Sequence, residues 1–480
     1  GGVIKSESLN TTLIVSGTSI LSDNSVLSVD TKEGAGGGII ATDGALSFYA
    51  MDNALFDGNS AVMGGVGMSK SDTNFEAKDN STFTNNFSSS GSNLNMVGGV
   101  IKGTGVMSFV ATDNALFYNN SAPFGGVAYN FGPGTVVVTQ EVSFAFNSGQ
   151  TGCCIHYNDD LVMEVNGNAM FLNNSCVKSG KLFGLGSGAV VYSNRALSLY
   201  TSGNAFFSGN LGGESAGVAI SKGPLLLDAS ENSTFTDNAA HEGAVVATGS
   251  DLTVVARDNA VFNWNHATSG GLFTGLGNTT TISIGDNVRM EDNHVEKTGA
   301  IYQSGRDTQL HFTVQGNVSL SRNSCDQFSG GVVYCVGVQC VIEMQGNDGV
   351  GEPILIDSNH GGNNAGVIYT ESASVKIQLD NIRFINNSAV TRGGVIGMDP
   401  DSFSSNDGGL VHFIKAVITN CTFESSSSGG DGGAIYALGE LELTNCTFEG
   451  SFAANDGGAI FLGQNAALTA TDVKSCDDRA

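Results

Sequence analysis

The sequence predicts an all-β protein, a single-stranded right-handed parallel β-helix of about 16 rungs. Two observations support this prediction. A motif recurs about every 30 residues between Gly2 and Gly458, and each copy joins an aromatic-x-x-Asn element to a Gly-Gly-aliphatic element. Between the copies, apolar and polar residues alternate over short runs such as ALSFYA and LELTNCTFE. Alternation of this kind is typical of β-strands.

The residue types select among the repeat architectures. Glycine is abundant (67 residues) and proline is scarce (5). No stretch has the 3.6-residue period of an amphipathic helix, which excludes helical repeats, and the spacing of leucine-rich repeats is missing. A parallel β-helix remains, and we expect residues 1–480 to form one continuous solenoid domain. The longer intervals predict loop insertions near 181–216, 332–365 and 397–432.

The copy FYNNSAPFGGVAYN shows what the motif contributes to the scaffold. Alternation places Phe117 on the inward face, and Asn120 then lies at a corner of the coil. Asparagine tolerates left-handed backbone angles and can bond to the equivalent residue of the next rung, so we expect a buried amide ladder. Gly125 and Gly126 omit side chains where the backbone bends. The predicted ladder residues are Asn59, Asn86, Asn120, Asn174, Asn210, Asn238, Asn265, Asn293 and Asn387.

The repeat also resembles that of a known family. The pairs FTNN with MVGGVIK (Phe83 to Lys102) and FINN with RGGVIG (Phe384 to Gly397) are similar to the passenger repeats of the chlamydial polymorphic membrane proteins. The resemblance covers nearly the whole chain. It implies a right-handed β-helix that is exposed at a cell surface and acts in adhesion to host cells. Repeats of the same kind occur in surface proteins of some unicellular eukaryotes.

The charge limits the partners. Lys+Arg 20 against Asp+Glu 46 gives a net charge of -26, which disfavours nucleic acid, anionic membranes and polyanionic sugars. No apolar run is long enough for a transmembrane helix. The expected partner is a cell-surface protein or glycan, or a second copy bound head to tail. The head-to-tail contact is expected because the chain opens on Gly-Gly and stops where an aromatic-x-x-Asn element is due; an excerpt of a longer chain is the alternative.

Asn-x-Ser/Thr sequons point to a compartment. They favour a eukaryotic secreted glycoprotein, extracellular or at a cell surface, over a bacterial surface protein, because several lie at positions expected to face outward. Asn86 also begins a sequon, but we expect its amide to point into the ladder and to stay unmodified. The candidate glycosylation sites are Asn80, Asn119, Asn173, Asn232, Asn317, Asn386, Asn420 and Asn445.

Nine cysteines agree with an oxidising compartment. Cys421 and Cys446 occupy the same place in two TNCTFE copies. Stacked rungs would bring them within disulfide range, and a pair of buried thiols is the equally supported alternative. Cys335 and Cys340 could close a short loop. No C-x-x-C pair with zinc spacing is present.

A polysaccharide-active enzyme, lyase or glycosidase, is the alternative function, because β-helices of the pectin-lyase-like kind host such sites. That chemistry needs paired carboxylates, or an acidic cluster with a base. Asp159 and Asp160 lack such companions. His266 and His294 follow ladder asparagines in consecutive rungs and are weak candidates for metal ligands. We expect no catalytic residue and no cofactor, and we predict an extracellular structural or adhesive protein.

Overall fold

The structure is a computed structural model of the chain. It describes residues 3–26, 36–89, 98–176, 190–303, 305, 307–347, 353–372, 374–399, 413–464 and 466–480. These residues form short β-strands and no helix, and so they include no helix long and apolar enough to cross a membrane. The chain divides into two compact units: unit 1 (Gly1–Asp228 and Asn232–Gly249) and unit 2 (Ala229–Glu231 and Ser250–Ala480).

Each rung supplies three strands, which we call the A, B and C strands in chain order. An A strand pairs in parallel with the A strands of neighbouring rungs, and B and C strands pair in the same way. Each type has 16 strands. The predicted all-β parallel β-helix of about 16 rungs is therefore confirmed. Most rungs add a short fourth strand, the D strand, after the C strand.

The strand bounds follow the repeat. The A strands are Ile4–Ser6, Ile40–Thr42, Gly67–Ser69, Ile101–Gly103, Ala128–Asn130, Ile155–Tyr157, Val191–Ser193, Ala219–Ser221, Val246–Thr248, Phe273–Gly275, Tyr302–Gln303, Val333–Cys335, Ile368–Thr370, Ile396–Met398, Ile435–Ala437 and Ile460–Leu462. The B strands are Asn10–Val15, Ala45–Ala50, Thr73–Ala77, Met107–Ala111, Gly134–Val138, Leu161–Val165, Leu197–Thr201, Leu225–Ala229, Leu252–Ala256, Thr279–Ile284, Gln309–Gln315, Gln339–Gln345, Ser374–Asp380, Phe413–Thr419, Glu440–Thr444 and Ala467–Thr471.

The C strands are Ile20–Ser22, Leu55–Asp57, Thr82–Thr84, Leu116–Tyr118, Ser143–Ala145, Met170–Leu172, Phe206–Ser208, Thr234–Thr236, Val261–Asn263, Arg289–Glu291, Ser319–Ser321, Ile354–Asp357, Ile382–Ile385, Thr422–Glu424, Thr447–Glu449 and Lys474–Cys476. The D strands are Ser60–Ala61, Phe87–Ser88, Ser148–Gly149, Ser175–Cys176, Leu211–Ser215, Ala239–Glu242, His266–Ser269, His294–Val295, Ser324–Cys325, His360–Gly361, Ser388–Ala389, Ser427–Ser428 and Phe452–Ala453.

The core of each unit is built from inward-facing residues of the strands, because alternation buries every second side chain. In unit 1 the inward residue of every C strand after Ile20–Ser22 is phenylalanine, and adjacent rings stack with centroids 4.5 to 5.1 Å apart. The stacked rings belong to Phe56, Phe83, Phe117, Phe144, Phe171, Phe207 and Phe235. In unit 2, Met290, Leu320 and Ile356 take this place before Phe384, Phe423 and Phe448 stack again.

The Gly-Gly pair begins the next A strand. Gly125 has a φ of 61°, in the left-handed region that glycine adopts without steric cost. At Gly126, a Cβ atom would collide with the backbone carbonyl oxygen of Cys153 in the next rung. The two glycines are therefore required by backbone geometry and by the close approach of neighbouring rungs.

The inward-pointing asparagines that follow the C strands form a buried hydrogen-bond ladder. The backbone N–H and the side-chain Nδ2 of Asn86 both donate to Oδ1 of Asn120, at 3.1 and 3.0 Å. Nδ2 also donates to the carbonyl oxygen of Phe56 in the preceding rung, at 2.9 Å. Oδ1 of Asn86 accepts two hydrogen bonds from Asn59. The side-chain amide of Asn86 thus uses both of its hydrogens and accepts two bonds, so this polar group can be fully buried.

The same contacts repeat within each unit. In unit 1 the ladder comprises Asn24, Asn59, Asn86, Asn120, Asn147, Asn174, Asn210 and Asn238, and in unit 2 Asn265, Asn293, Asn323, Asn359 and Asn387. All nine predicted ladder residues are buried members of these two runs. Ser426 and Ser451 occupy the following ladder positions, and their hydroxyls make no hydrogen bond within the described residues.

The expected insertions near 181–216, 332–365 and 397–432 fall partly on the segments 177–189, 348–352 and 400–412, which lie outside the described residues. Around those segments the rungs are regular. Val191–Ser193 pairs with Ile155–Tyr157, and Ile435–Ala437 pairs with Ile396–Met398.

We predict that Asn120→Ala lowers the free energy of unfolding by at least about 3 kcal/mol, because it removes hydrogen bonds to buried groups in both neighbouring rungs. Urea titration followed by circular dichroism measures the change. Asn119→Gly is the matched control, since Asn119 is exposed in the same corner with a φ of 52°; it should cost less than about 1 kcal/mol. Equal losses in the two variants would contradict the ladder's role.

Candidate functional site

The corner residue that precedes the ladder position has the same backbone conformation in all rungs. Its φ lies between 51° and 66° throughout. These corner residues are Asp23, Gly58, Asn85, Asn119, Phe146, Asn173, Gly209, Asp237, Trp264, Asp292, Arg322, Ser358, Asn386, Ser425, Gly450 and Asp477. Left-handed angles favour Gly, Asn and Asp, and most corners carry one of these residues. The scaffold therefore explains the common corner residues.

Arg322, Ser358, Ser425, Phe146 and Trp264 depart from this rule, and the last two carry aromatic rings. A bulky side chain in the left-handed region costs roughly 1–2 kcal/mol, yet both rings are well exposed, at 49% and 61%. Packing in the core does not offset the cost. Strain retained at an exposed position is typical of functional sites. Trp264 is also the single tryptophan of the chain.

The surroundings of Trp264 are ordered by ion pairs. The register of the C strands places Trp264, Asp292 and Arg322 in consecutive corners. Arg322 donates to both carboxylate oxygens of Asp292, at 2.7 and 2.8 Å, and to Glu291 at 3.0 Å. We call Trp264, His266, Glu291, Asp292 and Arg322 the Trp264 surface. Its bidentate ion pair holds two corners in fixed geometry beside the exposed indole.

The two predicted histidines meet next to this corner. The rings of His266 and His294 stack with centroids 5.2 Å apart. Nε2 of His266 lies 3.9 Å from Glu296, and Nε2 of His294 lies 3.4 Å from Asp326. Each imidazole thus faces one carboxylate of the next rung. In the part of the chain that the structure describes, no three His, Cys, Asp or Glu side chains are grouped to hold a metal ion.

One of the two candidate cysteine pairs forms a disulfide. Cys335 and Cys340 form a disulfide, which their spacing allowed. The disulfide considered for Cys421 and Cys446 does not form: both are buried free thiols. Their sulfurs donate to backbone carbonyls, of Thr419 at 3.1 Å and of Ile418 at 3.4 Å. The alternative of two buried thiols in consecutive rungs therefore describes this pair.

A second disulfide joins Cys153 to Cys176, with Cα atoms 5.5 Å apart. Sequence reasoning missed it, because the two cysteines occupy different places in the repeat. Cys153 lies in the turn after the D strand Ser148–Gly149, and Cys176 ends the next D strand. Gly149 and Cys176 are register partners in neighbouring rungs. The turn that follows Gly149 therefore places Cys153 close to Cys176.

The eight candidate glycosylation sites Asn80, Asn119, Asn173, Asn232, Asn317, Asn386, Asn420 and Asn445 are all exposed. Asn86 is fully buried, and its amide is used in the ladder. Exposed amides also bond from rung to rung: Nδ2 of Asn119 donates to Asn85 at 2.7 Å, and Nδ2 of Asn445 to Asn420 at 2.8 Å. Burial thus separates Asn86 from the other sequons.

One buried cluster was not expected from the sequence. Tyr129, His156 and Tyr192 point outward from successive A strands and yet are buried. The imidazole of His156 stacks on Tyr192, with centroids 4.5 Å apart, and Phe124 packs edge-on against it. Burial lowers the pKa of His156 to about 4. The outward face of the A strands is therefore a second apolar layer in this part of unit 1.

Comparisons with models of protein families, with curated proteins and with solved structures return no match for this chain.

We predict that the chain, expressed through a eukaryotic secretory pathway, carries sugar at Asn80, Asn232 and Asn445 and none at Asn86. The reason is that a sugar on Nδ2 of Asn86 would remove its bond to Asn120 and would have no space in the buried corner. Glycopeptide mass spectrometry of the folded protein measures occupancy at each site. An occupied Asn86 in folded protein would contradict the buried assignment.

We also predict an acid-dependent loss of stability from His156. The folded state keeps it neutral to about pH 4, whereas the unfolded chain protonates it below 6.5. The unfolded state then binds more protons between those values, so the free energy of unfolding falls as the pH drops from 6.5 to 4, by about 3 kcal/mol in all.

His156→Phe should remove this part of the pH dependence, because a phenyl ring can stack in the same place without titrating. The stability of the variant relative to the parent should rise by about 3 kcal/mol between pH 7 and pH 4 in urea titrations. Parallel pH profiles for the parent and His156→Phe would refute the assignment.

Proposed function

We propose that the chain is an extracellular or cell-surface glycoprotein with a structural or adhesive role and no catalytic activity. The observation that carries the proposal is the exposed Trp264 in a strained corner of a regular scaffold. Tryptophan and arginine are the residues that most often dominate binding energy in interfaces. The resemblance of the repeat to the passenger repeats of the polymorphic membrane proteins, which act in adhesion, supports the same function.

The acidic pair considered for catalysis supports a role without catalysis. Asp159 forms an ion pair with Arg195 at 3.2 Å. Asp160 accepts a hydrogen bond from the backbone N–H of Ala196 at 3.1 Å. Both carboxylates therefore hold the next rung in register. General acid-base chemistry would need at least one of them directed at a substrate.

The chemistry of the Trp264 surface favours a protein or a neutral glycan as the partner. The charges of Asp292, Glu291 and Arg322 are paired with one another, so they form a fixed polar rim. The indole offers the apolar area, and a hot spot with a polar rim is the usual anatomy of an interface. The net charge of -26 disfavours polyanionic ligands. Head-to-tail assembly of copies stays a prediction that the described contacts do not test.

We predict that Trp264→Asn separates binding from folding. Asparagine suits the left-handed corner, so the free energy of unfolding should stay the same or rise by up to about 1 kcal/mol. Binding to cultured epithelial cells or to immobilised neutral glycans should fall at least tenfold, as for a hot-spot residue. Flow cytometry and a glycan array measure this loss.

Phe146→Asn is the matched control, because it makes the same change at the equivalent corner of unit 1. It should leave binding unchanged. A Trp264→Asn variant that binds as well as the parent would argue against the Trp264 surface as the adhesive site. Because Trp264 is the single tryptophan, a change in tryptophan emission on adding the ligand reports contact at this corner alone.

A further inference from the structure

We infer that Asn173 is an N-glycosylation site whose first sugar packs on the aromatic ring of Phe146. The inference rests on the proposed function, since it requires an extracellular glycoprotein. It explains the second bulky corner residue, which the Trp264 surface leaves unaccounted for. It also distinguishes Asn173, beside a phenyl ring, from Asn386, whose sequon has nearly the same sequence but no aromatic neighbour in the preceding corner.

Phe146 and Asn173 occupy consecutive corners. The C strands that precede them are register partners, with Ala145 opposite Leu172, and neighbouring rungs are about 4.8 Å apart. Both residues have left-handed backbone angles, with φ of 56° and 52°, and both are exposed. The phenyl ring of Phe146 and the side-chain amide of Asn173 thus project from the surface side by side.

The amide of Asn173 is oriented for this contact. A Cβ atom built on Gly209, in the next corner, would collide with Oδ1 of Asn173. The oxygen therefore faces the next rung, and Nδ2 faces back toward Phe146. Asn119 has the same orientation, since its Nδ2 donates to Asn85 in the preceding rung at 2.7 Å. Phe146 offers no such acceptor, so Nδ2 of Asn173 makes no hydrogen bond within the described residues.

The surface around Phe146 suits a neutral sugar. Tyr118 lies edge-on to Phe146, with ring centroids 5.4 Å apart and an interplanar angle of 62°, and 41% of its surface is exposed. The neighbouring D strands contribute Ser148 and Ser175. An aromatic ring attracts the C–H edge of a pyranose through the negative potential of its face. These two rings and two hydroxyl side chains, with no charged group among them, therefore match N-acetylglucosamine.

The covalent step is the usual group transfer. The amide nitrogen Nδ2 of Asn173 forms a bond to the anomeric carbon of N-acetylglucosamine in a polyprenyl-diphosphate-linked oligosaccharide. The bond from that carbon to the diphosphate breaks, the lipid diphosphate leaves with its electron pair, and the amide loses one proton. Ser175 supplies the hydroxyl of the sequon Asn-Asn-Ser.

The chain contains a natural control for Phe146. FLNNS (Phe171 to Ser175) and FINNS (Phe384 to Ser388) are nearly identical. Asn386 is an exposed corner residue with a φ of 52°, as Asn173 is. The corner before Asn386 is Ser358 instead of a phenylalanine. Any difference between the two sugars therefore reports on the aromatic ring.

The test uses the full chain, secreted from eukaryotic cells with isotope-labelled N-acetylglucosamine and trimmed by an endoglycosidase to one sugar per site. Single-site variants assign the sugar resonances. We expect the ring current of Phe146 to move the proton chemical shifts of the sugar on Asn173 upfield. The proton chemical shifts of the sugar on Asn386 should stay close to those of the free sugar. Phe146→Ser should abolish the shift, and Ser358→Phe should create one at Asn386.

Stability provides a second measurement. Ser175→Ala removes the sequon and keeps Asn173. Loss of the sugar in this way should lower the folding equilibrium constant about threefold to tenfold, the range measured for aromatic contacts. The same change made in the Phe146→Ser background should have no effect.

The two proposals fail in different ways. The packing inference would be overturned if Asn173 is glycosylated and its sugar resonances do not change in Phe146→Ser. It would also be overturned if Asn386 is glycosylated and Asn173 is not. Neither result affects the proposed function. If mass spectrometry of protein from its native source shows no sugar at any of the eight exposed sequons, the glycoprotein part of the proposed function is wrong.

Discussion

The amide ladder is the interaction on which the rest of each unit depends. A buried amide is tolerated only when all of its donors and acceptors are bonded. Until each run ends, the partner of an asparagine is the asparagine at the same position of the next rung, as Asn86 and Asn120 show. A displaced asparagine would leave unpaired groups in its own rung and in both neighbours. The ladder therefore locks the register of the C strands, and stacked phenylalanines such as Phe117 and Phe144 follow from that register.

The ladder imposes a second constraint at the corner before it. To turn the asparagine inward, the preceding residue adopts a left-handed conformation, with φ between 51° and 66° in all rungs. The scaffold thus controls the backbone of the corner and leaves its side chain free in solvent. Evolution can vary that side chain, from Asn119 to Arg322 or Trp264, without changing the fold. The corners are where rung-specific chemistry is added, at the cost of some local strain.

The two aromatic corners have different surroundings. Trp264 lies beside a rigid set of paired charges, an arrangement suited to binding another molecule. Phe146 lies beside neutral amides and hydroxyls and faces Nδ2 of Asn173, an arrangement suited to the chain's own sugar. Both depend on the same property of the fold: consecutive rungs place equivalent residues about 4.8 Å apart. A side chain in one rung can therefore complete the site of the next.

The sequence alone determined the features that are local and repeated: strand alternation, the inward Phe117, the buried Asn120 and the Gly-Gly turn at Gly125. Each follows from a spacing of a few residues, so pattern and residue type suffice to predict it. Of the ladder, the predicted set omitted Asn24, Asn147, Asn323 and Asn359. The last two follow an aliphatic inward residue, so the aromatic signal that marks other rungs is missing there.

Only the tertiary structure decided the contacts that join different places of the repeat. The disulfide between Cys153 and Cys176 depends on how one turn folds over its neighbouring rung. The burial of His156 depends on Phe124, from a segment whose length varies between rungs. The orientation of Asn173 depends on Gly209, one rung further on. Sequence patterns specify which face of a strand is inward, but they do not specify what covers the outward face, because that is set by the packing of irregular segments.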